Sequence, residues 1–181
     1  GGVLAGFEPE SIGAPESNSE EYIRPHSDVL EAIDASFDAL FEGQATLASA
    51  EVAVVGYELC RGVDEEEGVA LWRPLQPGTG QALFAWRAVG ARALIVEVPH
   101  PNFEFLTLEE GLMMFDQLDA RALIVSGTHR CANTSAAGCE GESGVCGIEA
   151  EPYRESDMAH TVDSVFQVAH ERLSDAFEED I

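Results

Sequence analysis

The sequence predicts an α/β domain with a mainly parallel sheet, helices on both faces and a disulfide-stapled loop. Two apolar segments, Arg92–Val96 and Arg121–Val125, share the sequence RALIV and start 29 positions apart. That offset fits a strand, a crossover helix and a parallel return strand. The hydrophobic content of 45% indicates a folded chain. No apolar run approaches the roughly 20 residues of a membrane-spanning helix, so no membrane span is expected.

Hydrophobic periodicity places the other elements in chain order. Residues 1–26 are predicted to form an acidic flexible arm, and residues 27–181 a single α/β domain. Ser27 caps a helix that Gly43 ends. The remaining predicted elements are strands at Val52–Leu59, Val69–Trp72, Ala82–Trp86, Leu94–Val98 and Ala122–Val125, a helix opened by a capping box at Thr107–Glu110, and a last helix capped by Ser156. Another strand normally follows such a helix, so we expect a domain truncated at its C-terminal end.

The charge is strongly negative. The formal net charge is −25, from 34 acidic and nine basic residues, and every basic residue is Arg. Such a field repels nucleic acids and anionic membranes and favours cations or a basic assembly partner. A salt-adapted proteome accounts for the same composition, and both interpretations stay open.

Four cysteines favour disulfides and therefore an extracellular or periplasmic location. Three of them lie within the Gly-rich segment from Cys131 to Cys146. We predict one bond between Cys139 and Cys146 and another between Cys60 and Cys131. A cysteine metal site is the alternative, although the spacing lacks the C-x2-C pairs of zinc knuckles.

Each repeated strand is followed by a histidine at the same distance. His100 and His129 both lie eight residues after the arginine of their strand. If the two strands are parallel neighbours in matched register, both histidines lie at the same height. They would then occupy the carboxyl edge of the sheet, where open α/β sheets bind ligands. Chance similarity of two core strands explains the apolar match but not the equal offsets.

The residues around these histidines predict a metal-activated water. Glu104 follows His100 on one loop, so His100, Glu104 and His129 are candidate zinc ligands that leave one position open for water. Zinc-bound water ionises near neutral pH and can attack an amide. Arg130 is suited to a substrate carboxylate. Glu110 is a candidate base, although its capping-box position explains it equally well.

The predicted last helix adds two more candidates. Asp157 is a candidate catalytic residue, and His160 is the second choice for a metal ligand after Glu104. Both lie at the predicted start of that helix, which can face a cleft even when the rest of the helix packs elsewhere. A solvated histidine is the alternative for His160, because it lies almost opposite the apolar stripe of the helix.

The arrangement of His100, Glu104 and His129 resembles the zinc site of zinc-dependent amidohydrolases and carboxypeptidases. Peptidoglycan amidases and N-formylglutamate amidohydrolases are the most similar groups, and the resemblance covers residues 92–130. It implies an α/β fold, one zinc ion and cleavage of amide bonds. From the resemblance we expect a metal-dependent hydrolase of a small-molecule or peptide-like substrate, and from the cysteines we expect it to be secreted.

Two other functions stay open. One is a non-catalytic, disulfide-stapled extracellular binding or assembly domain, which suits the long cysteine loop and the acidic arm. The other is a phosphate-handling enzyme using His129 and Arg130. That function is less well supported, because no Gly-rich phosphate loop opens a helix.

Overall fold

The computed structural model describes residues 14–61, 68–76, 78–89 and 91–178. None of the helices in these ranges has the length and apolarity needed to cross a bilayer. The elements are α1 (Ser27–Phe41), α2 (Ala45–Ala53), β1 (Tyr57–Arg61), β2 (Val69–Pro74), β3 (Gly80–Arg87), β4 (Arg92–Val98), α3 (Thr107–Gln117), β5 (Ala120–Gly127), β6 (Glu142–Ser143), β7 (Glu151–Pro152) and α4 (Val165–Glu178).

The main sheet has five strands in the order β1-β2-β3-β5-β4, and β6 pairs with β7 in a separate hairpin. The predicted α/β class is confirmed, but the mainly parallel sheet does not form. Only β4 and β5 run parallel, whereas β1, β2, β3 and β5 pair antiparallel in succession. The physical reason is that β1, β2 and β3 follow one another without a crossover helix, so each strand turns back on the last.

Helices cover both faces of the sheet, as predicted. Alternate residues of β5 point to opposite faces. Ala122 and Ile124 pack on the side of α1 and α4, while Leu123 and Val125 pack with Phe115 of α3. All five side chains are fully buried. Because burial of one large apolar side chain contributes about 1.5–3 kcal/mol, β5 is the centre of the core.

The end of helix α2 and the turn after it replace the first half of the strand predicted at Val52–Leu59, so that prediction is wrong there. Val52 ends the buried face of α2, and the strand begins only at Tyr57. Short apolar runs do not distinguish a helix end from a strand. A buried chain of hydrogen bonds fixes α2 in place: Trp72 Nε1 donates to Ser36 Oγ at 2.9 Å, and Ser36 Oγ donates to the Ala48 carbonyl at 3.0 Å.

Three predicted helix caps do not form. Ser27 is the first residue of α1 rather than its cap, and α1 has no side-chain cap hydrogen bond. The capping box at Thr107 does not form, because Thr107 Oγ1 donates to the Glu104 carbonyl at 2.7 Å instead. The last helix starts at Val165 rather than near Ser156. Ser164 Oγ accepts the Gln167 N–H at 3.1 Å and caps that helix. The segment before Ser164 is therefore free to fold as turns.

Part of the predicted acidic arm packs against the domain. Residues 1–13 lie outside the described residues. Beyond them, the backbone N–H groups of Asn18 and Glu20 donate to the carbonyls of Cys131 and Ala132 at 2.7 and 2.8 Å. Tyr22 is buried in the core. The segment from residue 14 onward therefore supports the loop that follows β5.

Gly127, at the end of β5, is expected to tolerate no side chain. A Cβ atom there would lie 1.9 Å from the carbonyl oxygen of Gln81, a backbone atom that cannot move aside alone. We expect Gly127→Ala to lower the free energy of unfolding by about 3 kcal/mol. Gly138→Ala is the matched control, because nothing lies within 4 Å of its Cβ position. Urea unfolding measures both variants, and equal midpoints would contradict the prediction.

Candidate functional site

The carboxyl ends of β4 and β5 hold the candidate residues. The two strands are parallel neighbours, as the repeated sequence predicts. The equal height predicted for the two histidines is wrong, however: Arg92 pairs with Ala120 rather than with Arg121, and the register shifts by one more residue before Ile95. Val98 lies opposite Val125, so His100 is level with Gly127, and His129 lies two residues farther along the chain.

Four side chains from three parts of the chain meet beyond β4. His100 Nδ1 lies 3.1 Å from Glu104 Oε1, and His100 Nε2 lies 2.8 Å from Asp157 Oδ1. Arg130 donates from Nε and Nη2 to Asp157 Oδ2 at 3.1 and 2.6 Å, and its Nη1 lies 3.6 Å from Glu104 Oε1. We call His100, Glu104, Arg130 and Asp157 the charged cluster. It unites four of the residues predicted from the sequence, although Arg130 faces two protein carboxylates.

Turns between β7 and α4 place Asp157. Its backbone N–H donates to the Arg154 carbonyl at 2.9 Å, and its Oδ1 also accepts the Ala159 N–H at 3.3 Å. The preceding residue, Ser156, donates from Oγ to the Arg130 carbonyl at 2.9 Å. Asp157 is thus fixed from both sides of the loop, and its carboxylate has donors on both oxygens.

The carboxyl group of Asp157 is ionised at neutral pH. Burial would by itself raise its pKa, but the hydrogen bonds from His100 and Arg130 outweigh burial and hold the pKa below its usual range. An ionised Asp157 can only accept hydrogen bonds. His100 Nε2 is therefore the donor in this contact.

Glu104 contacts the other ring nitrogen of His100, but its side chain is held less tightly than that of Asp157. Its side chain is 41% exposed, against 4% for Asp157. The turn that carries Glu104 is closed by its backbone N–H donating to the His100 carbonyl at 3.3 Å. The two carboxylates therefore differ in role: Asp157 is a fixed acceptor, and Glu104 is a carboxylate that solvent or a substrate can displace.

His129 lies beside the charged cluster as a neutral hydrogen-bond donor. Burial and the neighbouring Arg130 guanidinium lower the pKa of His129, so its imidazole is neutral at neutral pH. Its Nδ1 accepts the Cys131 N–H at 3.0 Å, which assigns the ring proton to Nε2. The ring packs edge-on against Phe103 at 5.4 Å, and Phe103 also lies 5.3 Å from the Arg130 guanidinium carbon.

Phe103 is a site residue that sequence reasoning missed. Its only signal is its place between His100 and Glu104. It joins the residues that follow β4 to His129 and Arg130, which follow β5.

The predicted disulfides are wrong. The structure pairs Cys131 with Cys146, while Cys60 and Cys139 are free thiols. The reason is that Arg154 holds the two bonded residues together: its Nη1 donates to the Cys131 carbonyl at 3.1 Å and its Nη2 to the Cys146 carbonyl at 3.5 Å. Spacing along the chain does not reveal this contact.

Two other predicted residues lie outside the cluster. Glu110 is exposed on α3, and within the described ranges its side chain forms no hydrogen bond. His160 stacks on Tyr153 with ring centroids 3.5 Å apart, and its Nδ1 lies 4.0 Å from Cys139 Sγ. His160 thus belongs to the cysteine loop.

The residues predicted to bind zinc do not have the arrangement of a three-ligand zinc site. In the part of the chain that the structure describes, no three His, Cys, Asp or Glu side chains are placed to hold one metal ion. Glu104 and Asp157 lie on opposite nitrogens of His100, and His129 Nδ1 accepts a backbone N–H. These donors would have to rearrange to supply three ligands and an open position. Zinc binding stays a prediction from the sequence.

A separate cleft of about 570 Å³ lies between the segment before α1 and the strands β1 and β2. Its walls include Ile23, Val29, Val55 and Leu75. No member of the charged cluster lines it, so the cleft and the cluster are different places on the molecule.

Comparison with known proteins assigns no family to the chain: no family model matches it, and neither does any curated protein or solved structure.

Proposed function

We propose that the charged cluster is the catalytic centre of a hydrolase that cleaves an amide or peptide-like bond. The observation that carries the proposal is the position of His100 between a buried carboxylate, Asp157, and an exposed one, Glu104. A histidine oriented by a buried carboxylate through one nitrogen is a general base at the other nitrogen. The Cys131–Cys146 disulfide supports an extracellular or periplasmic location.

The reaction uses His100 Nδ1 after Glu104 moves aside and takes with it the proton of their hydrogen bond, which leaves His100 neutral. Neutral His100 takes a proton from a water molecule at Nδ1 while the water oxygen bonds to the carbonyl carbon. Asp157 stabilises the imidazolium that forms, because Nε2 keeps its hydrogen bond to Oδ1. The proton then passes from Nδ1 to the leaving nitrogen as the carbon–nitrogen bond breaks, which returns His100 to its neutral form.

His129 supplies the second requirement of acyl transfer, a donor for the carbonyl oxygen. Its Nε2 carries a proton and has no acceptor among the described residues. Preorganised donors to a developing oxyanion typically contribute about 100- to 1,000-fold in rate. Arg130 has a structural part, because its donors are committed to Asp157 and Glu104. The net charge of −25 favours neutral or cationic substrates.

The proposal is tested by hydrolysis of peptide and N-acyl amino-acid p-nitroanilides. Wild-type protein should cleave at least one probe, and the rate should persist after treatment with a chelator. His100→Gln should lack this activity, which excludes a contaminating enzyme. Activity that returns only with added zinc would instead support the metal-dependent hydrolase predicted from the sequence. No cleavage of any probe would contradict the hydrolase and favour a non-catalytic binding domain.

A further inference from the structure

Four large apolar side chains are exposed on α3 or just before it. Phe105 is 90% exposed, and Leu106, Met113 and Met114 are each 45–49% exposed. We call these four residues the α3 patch. Single exposed apolar side chains are common on folded proteins, whereas a group that shares one element marks an interaction surface.

Helical spacing places the patch on the side of α3 that points away from the sheet. The opposite side is buried, and a Cβ atom on Gly111 would lie only 2.3 Å from Val98 Cγ2 of β4. Met113 and Met114 follow Leu106 by seven and eight positions, which is two helical turns, so the three side chains lie along one face. Because α3 already rests on β4 through its other side, it cannot bury the patch within its own domain.

The backbone that leads into α3 is held in a fixed conformation. Leu106 has φ of +62°, in the left-handed region that a leucine rarely adopts. Its carbonyl accepts the Glu110 N–H at 2.9 Å, and Thr107 Oγ1 donates to the Glu104 carbonyl at 2.7 Å. A partner therefore meets a preformed surface, and α3 loses little conformational entropy when the two bind.

The surroundings of the patch are negatively charged. Five acidic residues and no basic residue lie in the segment from Phe103 to Asp119. Glu109 and Glu110 are exposed, and within the described residues neither carboxylate has an ion-pair partner. The patch therefore combines apolar side chains with two carboxylates that are available to cations.

We infer that the α3 patch docks a basic amphipathic helix of a partner protein. Apolar side chains of that helix cover the two methionines, whose flexible thioether side chains adapt to different shapes. Lys or Arg side chains beside its apolar face pair with Glu109 and Glu110. The 11 residues of α3 span roughly 16 Å, which matches three turns of a partner helix.

Charge favours this occupant over a second copy of the chain or a bilayer. A second copy carries the same net charge of −25 and would place Glu109 and Glu110 near like charges. Anionic membranes are repelled for the same reason. A convex helix face also does not enclose a small molecule. The inference does not depend on the charged cluster being catalytic.

The test uses a fluorescein-labelled peptide of leucine and lysine patterned as an amphipathic helix of about 14 residues. Fluorescence anisotropy with the full chain at about 150 mM salt should give a Kd on the order of 10 µM. The absence of saturable binding would overturn the inference.

Methionine methyl signals locate the bound peptide. The chain has three methionines, and the third, Met158, is buried in the core. In protein labelled with carbon-13 in the methionine methyl groups, the NMR signals of Met113 and Met114 should shift during the titration, while that of Met158 stays in place. If the Met113 and Met114 signals do not shift at saturation, the peptide binds elsewhere and the inference is wrong.

A double variant tests the apolar contact. Met113→Gln/Met114→Gln should weaken peptide binding at least about 5-fold. Ile148→Gln/Val162→Gln is the matched control, because it changes two exposed apolar residues outside α3. The control should alter the Kd by less than about 2-fold. Equal effects of the two double variants would overturn the role of the patch.

A second double variant tests the charge. Glu109→Gln/Glu110→Gln should weaken binding at least about 3-fold. Glu140→Gln/Glu149→Gln removes the same charge from exposed positions outside α3 and should alter the Kd by less than about 2-fold. Equal losses would show that the peptide is attracted to any part of an acidic protein, and they would overturn the inference.

Two further measurements address the other occupants. Sedimentation velocity without peptide should show no dimer that Met113→Gln/Met114→Gln dissolves; such a dimer would assign the patch to a second copy. Flotation with phosphatidylcholine vesicles should leave the protein unbound, and vesicle binding that the same variant abolishes would assign the patch to a bilayer. Either result would overturn the basic helix as the occupant.

Discussion

Replacing His100 with Gln is expected to lower kcat/KM for the best p-nitroanilide probe by about 100- to 10,000-fold. Gln keeps a donor for Asp157 and a similar length, so packing is largely preserved. It cannot take a proton from water, so the general base is lost. Steady-state kinetics at neutral pH measure the effect, and thermal unfolding checks that the variant is folded.

His170→Gln is the matched control for this substitution. His170 also pairs with a carboxylate, with its Nδ1 2.5 Å from Glu97 Oε1, but it is 42% exposed and lies outside the charged cluster. The kcat/KM of the His170→Gln variant should differ from that of the wild type by less than about 3-fold, as for a surface substitution. Equal losses in the two variants would show that His100 has no specific part in the chemistry.

Asp157→Ala is expected to lower the free energy of unfolding by about 3 kcal/mol. The substitution leaves His100 and Arg130, which are 11% and 12% exposed, without their shared carboxylate. A buried guanidinium that loses its two shortest hydrogen bonds is costly because water cannot replace the lost acceptor. Urea unfolding at neutral pH with the disulfide intact measures the difference.

Asp163→Ala provides the comparison for an exposed pair. Asp163 and its partner Arg24 are 53% and 48% exposed, so their attraction is screened by solvent. The expected loss is below about 1 kcal/mol. If both substitutions lower the free energy of unfolding equally, the Asp157 carboxylate does not hold His100 and Arg130 together.

The contribution of Asp157 should also depend on pH in one direction. Its pKa in the folded protein lies below the ordinary value of 3.8. A group with a lowered folded-state pKa stabilises the fold above its unfolded-state pKa, and that contribution is lost as the pH falls through the folded-state value. The stability gap between wild type and Asp157→Ala should therefore narrow below about pH 4. A constant gap at lower pH would contradict the lowered pKa.

The sequence predicts the local pieces of this molecule better than their arrangement. The repeated RALIV segments become neighbouring parallel strands because both are apolar and a helix connects them. The relative height of the two histidines depends on the pairing register of β4 and β5, which differs by two residues from the match of the repeated letters and which no local pattern encodes. By contrast, the short connections between β1, β2 and β3 exclude a parallel order, because parallel neighbours need a crossover of a dozen or more residues, so this part of the sheet was predictable from the spacing.

The sequence predicts which residues belong to the candidate site, but it does not predict how they contact one another. The sequence predicts Asp157 at a helix start, yet it lies in a turn that Ser156 and Arg154 fix. Arg130 and Asp157 are far apart in the chain, and their pairing is a tertiary contact. The predicted Cys139–Cys146 bond followed from closeness in sequence, whereas the observed pair depends on Arg154.

Arg154 has a consequence for oxidative folding. It lies after all four cysteines and is itself outside the loop whose two ends it joins. Before the Arg154 side chain docks, nothing favours Cys146 over Cys139 as the partner of Cys131. Closing the shorter loop, from Cys131 to Cys139, costs less chain entropy. Selection of the native partner therefore comes late in folding, and early pairings are corrected only once the Arg154 side chain has reached both carbonyls.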